Sequence, residues 1–348
     1  MTTIEDARVI TGGVDTHADM HVAAALDSIG GLLGVQEFPA TAAGYASLLG
    51  WLRGFGTLAV AGVEGTGSYG AGLARHLAAA GVRVVEVDRP DRQDRARRGK
   101  PRPAGCGQRG AGGAVRAGAA GAPRGRDGAV EAIRALMVAK RSARQERIQA
   151  INQARALIMT GPEELRARFV RRSPAQLIEA IAALRPRPGD VPGFATRVAL
   201  RELGRRAQFL DAQLDRLDEL IGPLVTARAP GLLALHGVGP DTAAMLLVAA
   251  GDHPERLRSE SSWAHLCGVA PIPASSGKTA GRYRLNRGGD RQANSALWRI
   301  VIVRMNSHPA TRAYADRRSE EGLSKKEIIR CLKRYVAREV YRQLRNGA

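Results

Sequence analysis

The order of short apolar segments in the first 90 residues is the sequence feature that most restricts the fold. Short β-branched and apolar runs bounded by turn residues predict strands, whereas apolar residues at helical spacing predict amphipathic helices. By these criteria the order is β-β-β-α-β-α-β. The strands are predicted at 8–14, 21–26, 32–38, 57–63 and 82–87, and the helices at 41–52 and 69–80.

Three hairpin-linked strands followed by alternating helices and strands predict a ribonuclease-H-like sheet, in which the first and fourth strands are neighbours. Asp15 and Glu64 end these two strands and would emerge side by side. Facing carboxylates repel each other unless a cation lies between them, and their hard oxygen atoms suit Mg²⁺, which can support phosphoryl transfer. The alternative is that both are ordinary turn residues, because Asp-Thr and Glu-Gly-Thr-Gly also suit loops.

The charge balance points to nucleic acid. The 348 residues carry 53 Lys and Arg against 33 Asp and Glu, a net charge of +20, and only six of the basic residues are lysines. Guanidinium groups match phosphate oxygens and stay charged at any cellular pH. The first 90 residues are acidic, with 5 arginines and 9 acids, so the basic charge lies in the remainder. Aromatic residues make up 4%, which is sparse for a single-strand stacking platform.

Other classes of protein are disfavoured by composition. The chain has no apolar run of about 18 residues and its start is polar and acidic, so we expect no membrane span and no signal peptide. The three cysteines (Cys106, Cys267 and Cys331) lack the spacing of a zinc site or a disulfide framework. We therefore expect a bacterial cytoplasmic protein, associated with the nucleoid when it is bound to DNA.

The segment 101–125 is anomalous. It consists of 8 Gly, 7 Ala, 4 Arg and 3 Pro, with only Cys106, Gln108 and Val115 besides. Such a composition cannot bury enough apolar surface to offset its ordering entropy, so we expect disorder. A flexible linker is one interpretation. A compensated frameshift is the other, because Gly, Ala, Arg and Pro are the residues whose codons begin with two G or C letters.

Two long helices are predicted next, at 127–160 and about 194–227. In the second, apolar residues step by three and four over about three and a half heptads, which indicates packing against another helix. An antiparallel pair within the chain and a coiled-coil dimer both fit. The seam consists of Leu200, Leu203, Ala207, Leu210, Leu214, Leu217, Ile221 and Leu224.

The last third carries two candidate DNA contacts. In 235–243, Gly237 and Gly239 form a tight turn that opens a helix near Thr242, which suits a phosphate and resembles a helix-hairpin-helix element. A plain packing corner between helices is the alternative. A loop with Ser275 and Ser276 could place a hydroxyl against a phosphodiester. The candidate phosphate contacts that follow it are Lys278, Arg282, Arg284 and Arg287, and further helices are predicted at 294–305 and 324–345.

Together these residues resemble the DEDD-type transposases of bacterial insertion sequences related to the Piv and MooV invertases (insertion-sequence family one-ten). The motifs are Gly13-Val14-Asp15, the run from Gly62 through Glu64 to Tyr69, the 235–243 hairpin and Ser276-Gly277. The resemblance implies a RuvC-like nuclease domain (8–100), a long-helix region (126–228) and a helical transposase domain (229–348). The segment 101–125 separates the nuclease domain from the long-helix region.

The resemblance also implies the chemistry. Four acids would bind Mg²⁺, with Asp15 and Glu64 matching the first two. Ser276, with Ser275 beside it, would match the nucleophile. The expected partners are double-stranded DNA, a guide (bridge) RNA and further copies of the chain, as a dimer or tetramer.

One departure from the family pattern stands out. The family has an Asp-x-x-Asp pair after Arg-Gly-Lys, but the positions after Arg98-Gly99-Lys100 read Arg102 and Gly105, or the residues one place away. The nearby acids Asp88, Asp91 and Asp94 lie on the other side of Lys100. We therefore expect this copy to be impaired. A binding-only remnant and a Holliday-junction-type nuclease that uses water remain the alternatives.

Overall fold

The computed structural model describes residues 8–87, 128–186, 189–252, 257–273, 283–285 and 288–346. Contacts divide the chain into two compact units, one of Met1–Gly128 with Ala250–Ser259 and one of Ala129–Ala249 with Glu260–Ala348. The predicted disorder and frameshift of 101–125, and Asp127 at the predicted start of the first long helix, lie outside the described residues.

The N-terminal unit is built on a five-stranded mixed sheet. Its elements are β1 (Val9–Thr16), β2 (Met20–Leu26), β3 (Leu32–Pro39), α1 (Ala42–Arg53), β4 (Thr57–Glu64), α2 (Ala71–Ala79) and β5 (Val84–Val87). The predicted β-β-β-α-β-α-β order is confirmed. The strands lie in the order β3-β2-β1-β4-β5, where β1 pairs antiparallel with β2 and parallel with β4, and β4 pairs parallel with β5.

Both helices of this unit contribute to one apolar core with the sheet. Leu48 and Leu52 of α1 and Leu73 of α2 are fully buried in the same cluster as Ile10 and Val63 of the neighbouring strands. Helix α1 begins where the sequence indicates, because the side chain of Thr41 accepts a hydrogen bond from the amide of Gly44 at 3.2 Å. This core fixes the ends of β1 and β4.

The second unit is helical, and its largest feature is a pair of long helices, α3 (Ala129–Thr160) and α6 (Val191–Arg228). Between α3 and α6, Lys140 pairs with Asp218 and Arg147 pairs with Asp211. Since the partner's number falls as the number along α3 rises, the helices run antiparallel. Of the two arrangements compatible with the heptad seam, the structure shows the pair within the chain.

The seam prediction is confirmed in its main positions. Leu200, Ala207, Leu210, Leu217 and Ile221 are buried, and the remaining three positions are partly buried. Helix α6 begins three residues before the predicted start, because the side chain of Asp190 accepts a hydrogen bond from the Gly193 amide at 2.7 Å.

Shorter elements complete the second unit. Two sit between the long helices, the first being α4 (Glu163–Phe169) and the second α5 (Pro174–Ala182), which begins with a capping box between Ser173 and Gln176. The remaining elements are α7 (Pro230–Leu233), α8 (Pro240–Ala250), α9 (Glu260–Leu266), β6 (Pro271–Pro273), β7 (Tyr283–Leu285), α10 (Arg291–Ser307), α11 (Pro309–Glu320) and α12 (Lys325–Asn346). Over the part of the chain that is described, no helix is long and apolar enough to span a bilayer.

Candidate functional site

Asp15 and Glu64 lie next to each other at the carboxyl ends of β1 and β4. The parallel register pairs Val14 with Val63, one residue before each acid. The hydroxyl of Thr16, which is 1% exposed, donates a 2.8 Å hydrogen bond to the backbone oxygen of Glu64. This bond ties the two strand ends together and confirms that the two acids occupy neighbouring positions.

The loop after Glu64 can form only with glycine at two positions. Gly65 has a φ of +66°, a conformation that side chains with a Cβ disfavour. A Cβ on Gly70 would lie 2.8 Å from the backbone oxygen of Glu64. The loop therefore curls back onto the acid and holds its backbone in place.

The donor set at this edge suits a hard cation. The Asp15 side chain is 27% exposed, and its Oδ2 lies 3.6 Å from Nε2 of His17. The nearby Thr66 hydroxyl is buried and has no hydrogen-bond partner among the described residues. Those residues include no group of three or more His, Cys, Asp or Glu arranged to hold a metal. Mg²⁺ is commonly bound by one or two carboxylates, with water and substrate phosphates completing its shell, so the pair fits part of such a site.

A buried histidine supports the same edge of the sheet. His21 lies opposite Thr16 in the β1–β2 register and is fully buried. Its ring stacks on Tyr45 of α1, with ring centroids 5.6 Å apart and an interplanar angle of 4°. Neither ring nitrogen makes a hydrogen bond of normal geometry within the described part of the chain. Burial lowers the pKa of His21, and the nearby carbonyl of Met20 offsets this only in part.

In the helical unit, a buried arginine supports the glycine turn before α8, which contains Gly237 and Gly239. Arg304 of α10 is 5% exposed, and its Nε donates a 2.8 Å hydrogen bond to the backbone oxygen of His236. Its Nη1 bonds Glu339 of α12 at 2.8 Å. Gly237 has a φ of +78°, and a Cβ there would lie 3.3 Å from the backbone oxygen of Ile300. The turn therefore rests directly on α10.

At the start of α8, polar groups of the turn form hydrogen bonds with each other. The Gly239 amide donates to the Thr242 hydroxyl at 3.1 Å, and this hydroxyl donates back to the Gly239 oxygen at 3.0 Å. Thr242 is only 7% exposed. A phosphate at this turn would thus use other groups of the helix start. The predicted DNA contacts of Gly237, Gly239 and Thr242 stay predictions.

Asp241 links this turn to the long helix α3. Its carboxylate pairs with Lys140, which is 3% exposed, and bonds Arg144 Nη2 at 2.8 Å. Lys140 also pairs with Asp218 of α6. Burial acts to raise the pKa of Asp241, but the hydrogen bonds and charges of Lys140 and Arg144 outweigh it and leave the pKa below its ordinary value. This cluster could not be predicted from the sequence, because its ion pairs join residues that are 78 to 101 positions apart.

The predicted serine loop is largely outside the described residues. This applies to Ser275, Ser276, Lys278, Arg282 and Arg287. Arg284 lies on β7, where its backbone pairs with Ile272 of β6. The structure therefore gives the strands on either side of the loop.

A basic cavity of about 650 Å³ lies beside the start of β6, and sequence reasoning missed it. It is lined by segment 268–271 and by residues of α11 and α12. In α12, the spacing of Arg330, Lys333, Arg334 and Arg338 by three and four residues places them along one side of the helix. That spacing was the available signal, but it does not identify the other walls of the cavity.

Comparison with known proteins places the chain in a family. Residues 12–104, which include Asp15 and Glu64, match a DEDD transposase model of IS110 elements. Residues 229–316, which include the glycine turn and the serine loop, match the family described as Transposase IS116/IS110/IS902. The two matched ranges together take in more than half of the chain. The chain belongs to the IS110-type family of insertion-sequence transposases.

Curated relatives agree with the family matches. The insertion element IS110 uncharacterized 43.6 kDa protein of Streptomyces coelicolor is 34% identical over 157 residues, covering 45% of this chain and 37% of that protein. The insertion element IS900 uncharacterized 42 kDa protein of Mycobacterium paratuberculosis is 27% identical over 224 residues, covering 58% of this chain and 56% of the relative. A probable family 20 transposase of Pseudomonas aeruginosa is 31% identical over 123 residues, or 35% of each chain. The chain therefore spans about a third to just over half of the length of these relatives.

Proposed function

We propose that the chain derives from a transposase that cleaves and rejoins DNA strands, with an N-terminal nuclease domain of the RuvC type. The observation that carries this proposal is the parallel pairing of β1 and β4, in which Val14 pairs with Val63 immediately before Asp15 and Glu64. The sheet order β3-β2-β1-β4-β5 and the family membership support it. Carboxylates at adjacent strand ends are suited to metal-assisted phosphoryl transfer.

In this proposal each group has a separate role. Asp15 and Glu64 would hold Mg²⁺, which when bound supplies charge stabilisation to the phosphodiester under attack. Ser276 would supply the hydroxyl that forms a phosphoserine link, with Ser275 as its neighbour. Thr16 positions Glu64 through its backbone oxygen. Lys278, Arg282, Arg284 and Arg287 would hold DNA phosphates, and the turn of Gly237, Gly239 and Thr242 would contact the backbone as a helix-hairpin-helix element.

The proposed partners follow from charge and family. The net charge of +20, carried mainly by arginine, suits DNA, and a guide RNA would select target and donor sites. Assembly as a dimer or tetramer would let the two domains cooperate across subunits, and the protein would work in the bacterial cytoplasm at the nucleoid.

We propose further that this copy is impaired. Where the family pattern has its third and fourth acids, the sequence reads Arg102 and Gly105, or the residues one place away, with no acid in either register; an arginine there would oppose cation binding by charge repulsion. Sequencing of the coding DNA across codons 100 to 126 tests the origin of this loss. A different reading frame that encodes Asp-x-x-Asp would support a frameshifted product of an active parent. A segment without such a frame would refute the frameshift.

The catalytic pair is tested with Asp15→Asn and Glu64→Gln in the full chain. Glu37→Gln is the matched control, because Glu37 is an exposed acid on β3 of the same sheet. Each site variant is expected to weaken Mg²⁺ binding, measured by calorimetry or by displacement of Mn²⁺, at least about tenfold, because one of two described carboxylates is lost. Unchanged binding in both variants would remove the metal site from these residues. Ser276→Ala then separates a serine recombinase from a water-using nuclease, which should keep its cleavage activity.

A binding-only remnant is the second candidate function. It is favoured by the helical unit, where Arg304 supports the glycine turn and Lys140 and Arg144 pair with Asp241 at the start of α8. Such a remnant should bind duplex DNA with a steep salt dependence and show no Mg²⁺-dependent cleavage. Cleavage by the full chain that is lost in Ser276→Ala would exclude it.

A further inference from the structure

The cavity beside β6 combines the features of a nucleotide site. Its lining includes six cationic side chains, two tyrosines and the backbone of 268–271, and no carboxylate is part of the described lining. Its volume of about 650 Å³ is in the range of small-molecule sites and exceeds what a lone phosphate would fill. A recess of this kind can accept a single nucleotide that has left its base pair, because a nucleotide inside an intact duplex cannot enter a pocket.

The two tyrosines provide an aromatic wall. Tyr314 of α11 and Tyr335 of α12 pack edge to face, with ring centroids 5.7 Å apart and an interplanar angle of 77°. The guanidinium of Arg338 lies 5.8 Å from the Tyr335 ring centroid. Tyr335 is still 48% exposed, so its ring is available to a ligand. An aromatic face next to cations suits a base with its phosphate, because every base has a face that can stack.

The cationic charge is only partly neutralised. Glu260 pairs with Arg334 at 2.5 Å and with Arg338 at 3.1 Å, so one carboxylate serves two guanidinium groups. Lys333 donates a 2.9 Å hydrogen bond to the side-chain oxygen of Asn294. Arg317 and Arg318 both pair with Glu321, and Arg330 is exposed, with the charge of Glu327 acting on it. The surplus of positive charge calls for an anionic ligand.

Hydrogen bonds and a shared residue connect the cavity to β6, the strand that leads into the serine loop. Asn294, which accepts the hydrogen bond from Lys333, donates its own amide hydrogen to the backbone oxygen of Cys267 at 2.8 Å. Pro271 is both the last lining residue of this segment and the first residue of β6. Ser275 and Ser276 follow it by four and five residues, so their Cα atoms lie within about 18 Å of it by chain length alone.

We propose that this cavity holds one unpaired nucleotide of the DNA strand, with its base against Tyr335 and its flanking phosphate against Arg330 and Lys333. The proposal rests on the proposed function, since it assigns to the cavity the strand that the transposase acts on. The proposal assigns to the protein the recognition of a single strand by the pair Tyr314 and Tyr335. The low overall aromatic content of the sequence does not predict such a pair.

The first experiment compares two probes on the full chain by fluorescence anisotropy: a labelled oligodeoxythymidine of about 12 nucleotides and a duplex of the same length. Tyr335→Ala is expected to weaken single-strand binding about fivefold or more, with duplex affinity unchanged, because stacking contributes only to the unpaired base. Tyr335→Phe keeps the ring and should bind like the parent protein. Arg330→Gln should weaken single-strand binding more than Arg342→Gln, a matched exposed arginine of α12 outside the cavity.

The outcomes separate the two proposals. If duplex binding persists and Tyr335→Ala changes neither probe, or both equally, the nucleotide site is refuted while the DNA-binding function stands. Loss of binding to an RNA strand in Tyr335→Ala without loss of binding to the DNA strand would also refute it, because the cavity would then hold RNA. If the full chain binds neither DNA probe, the proposed function fails as well.

A second measurement needs no variant. Cys331 lines the cavity, whereas Cys267 is fully buried and burial raises the pKa of its thiol far above the usual range. Alkylation followed by peptide mass spectrometry reports each cysteine separately. The single strand should slow the alkylation of Cys331 several-fold and the duplex should not, while Cys267 stays unmodified as long as the unit is folded. Equal alkylation of Cys331 with and without the single strand would overturn the proposal.

Discussion

Asp241→Asn should destabilise the helical unit more than any other single loss of charge around Lys140. The carboxylate of Asp241 is shared by Lys140 and Arg144, and it lies in the first turn of α8. Its removal leaves the ammonium of Lys140, which is 3% exposed, with Asp218 as its described carboxylate partner. Asp218 is 55% exposed, so it provides weaker compensation.

The magnitude follows from these contacts. Leaving a buried charge without its partner costs about 3–5 kcal/mol. The remaining ion pair with Asp218 should offset roughly half of that cost, and the loss of an acid at a helix N-terminus adds about 0.5 kcal/mol to it. We expect Asp241→Asn to lower the free energy of unfolding by about 2–3 kcal/mol. Asp218→Asn, the matched control, should cost about 1 kcal/mol or less, because Lys140 keeps its more buried partner.

The assay is chemical denaturation followed by tryptophan fluorescence. In a Trp51→Phe and Trp298→Phe background, the remaining Trp263 is fully buried in the helical unit and reports on it alone. A loss below about 1 kcal/mol for Asp241→Asn, or an equal loss for Asp218→Asn, would refute the reasoning.

The pH dependence gives a second check. Because the pKa of Asp241 is lowered from an ordinary value of 3.8, its stabilisation is present above that value and is lost as the pH falls through the folded-state pKa. Asp241→Asn should therefore reduce the acid sensitivity of the unit below about pH 4.

Two further predictions concern single residues. Gly237→Ala should lower the free energy of unfolding by about 1–2 kcal/mol in the same assay, because a Cβ there is strained at positive φ and lies 3.3 Å from the Ile300 oxygen. In the control Gly239→Ala, the Cβ meets nothing within 4 Å, so stability should change by less than about 0.5 kcal/mol. Equal effects of the two variants would contradict the contact between the turn and α10. The lowered pKa of His21 means that the unfolded state binds its proton first, so the N-terminal unit should lose stability as the pH falls through 6.5 towards the folded-state pKa. His21→Leu should flatten this dependence in thermal unfolding followed by Trp51, and a slope unchanged in His21→Leu would refute the assignment.

The N-terminal sheet could be predicted because each of its elements carries its own local pattern. The neighbouring positions of Asp15 and Glu64 followed from the strand order alone. The element ends were less accurate: β1 continues through Thr16, and α2 begins at Ala71 rather than 69 because the loop after Glu64 curls back through Gly70. Such close backbone approaches leave no periodic signal in a sequence.

The helical unit was harder to predict for a different physical reason. A heptad indicates that α6 has a helical partner but does not identify the partner, and the charges that select α3 are distant along the chain. The same limit hid the cavity, whose walls come from 268–271, α11 and α12. Short helices such as α5 were missed because their apolar runs are brief. Ser173, Pro174 and Gln176 are nevertheless typical of a helix start.

The antiparallel pairing of α3 with α6 has a consequence for synthesis of the protein. The buried stripe of α3 is complete at Thr160, and its C-terminal part packs on α4, α5 and the start of α6. Because the two long helices run antiparallel, the N-terminal part of the stripe, which includes Ile133, is covered only by the end of α6, at Arg228. At bacterial translation rates of about 5–20 residues per second, that part waits roughly 3–14 seconds for its cover, and apolar surface exposed in this way favours aggregation. A truncation that removes the last turns of α6 would make that exposure permanent.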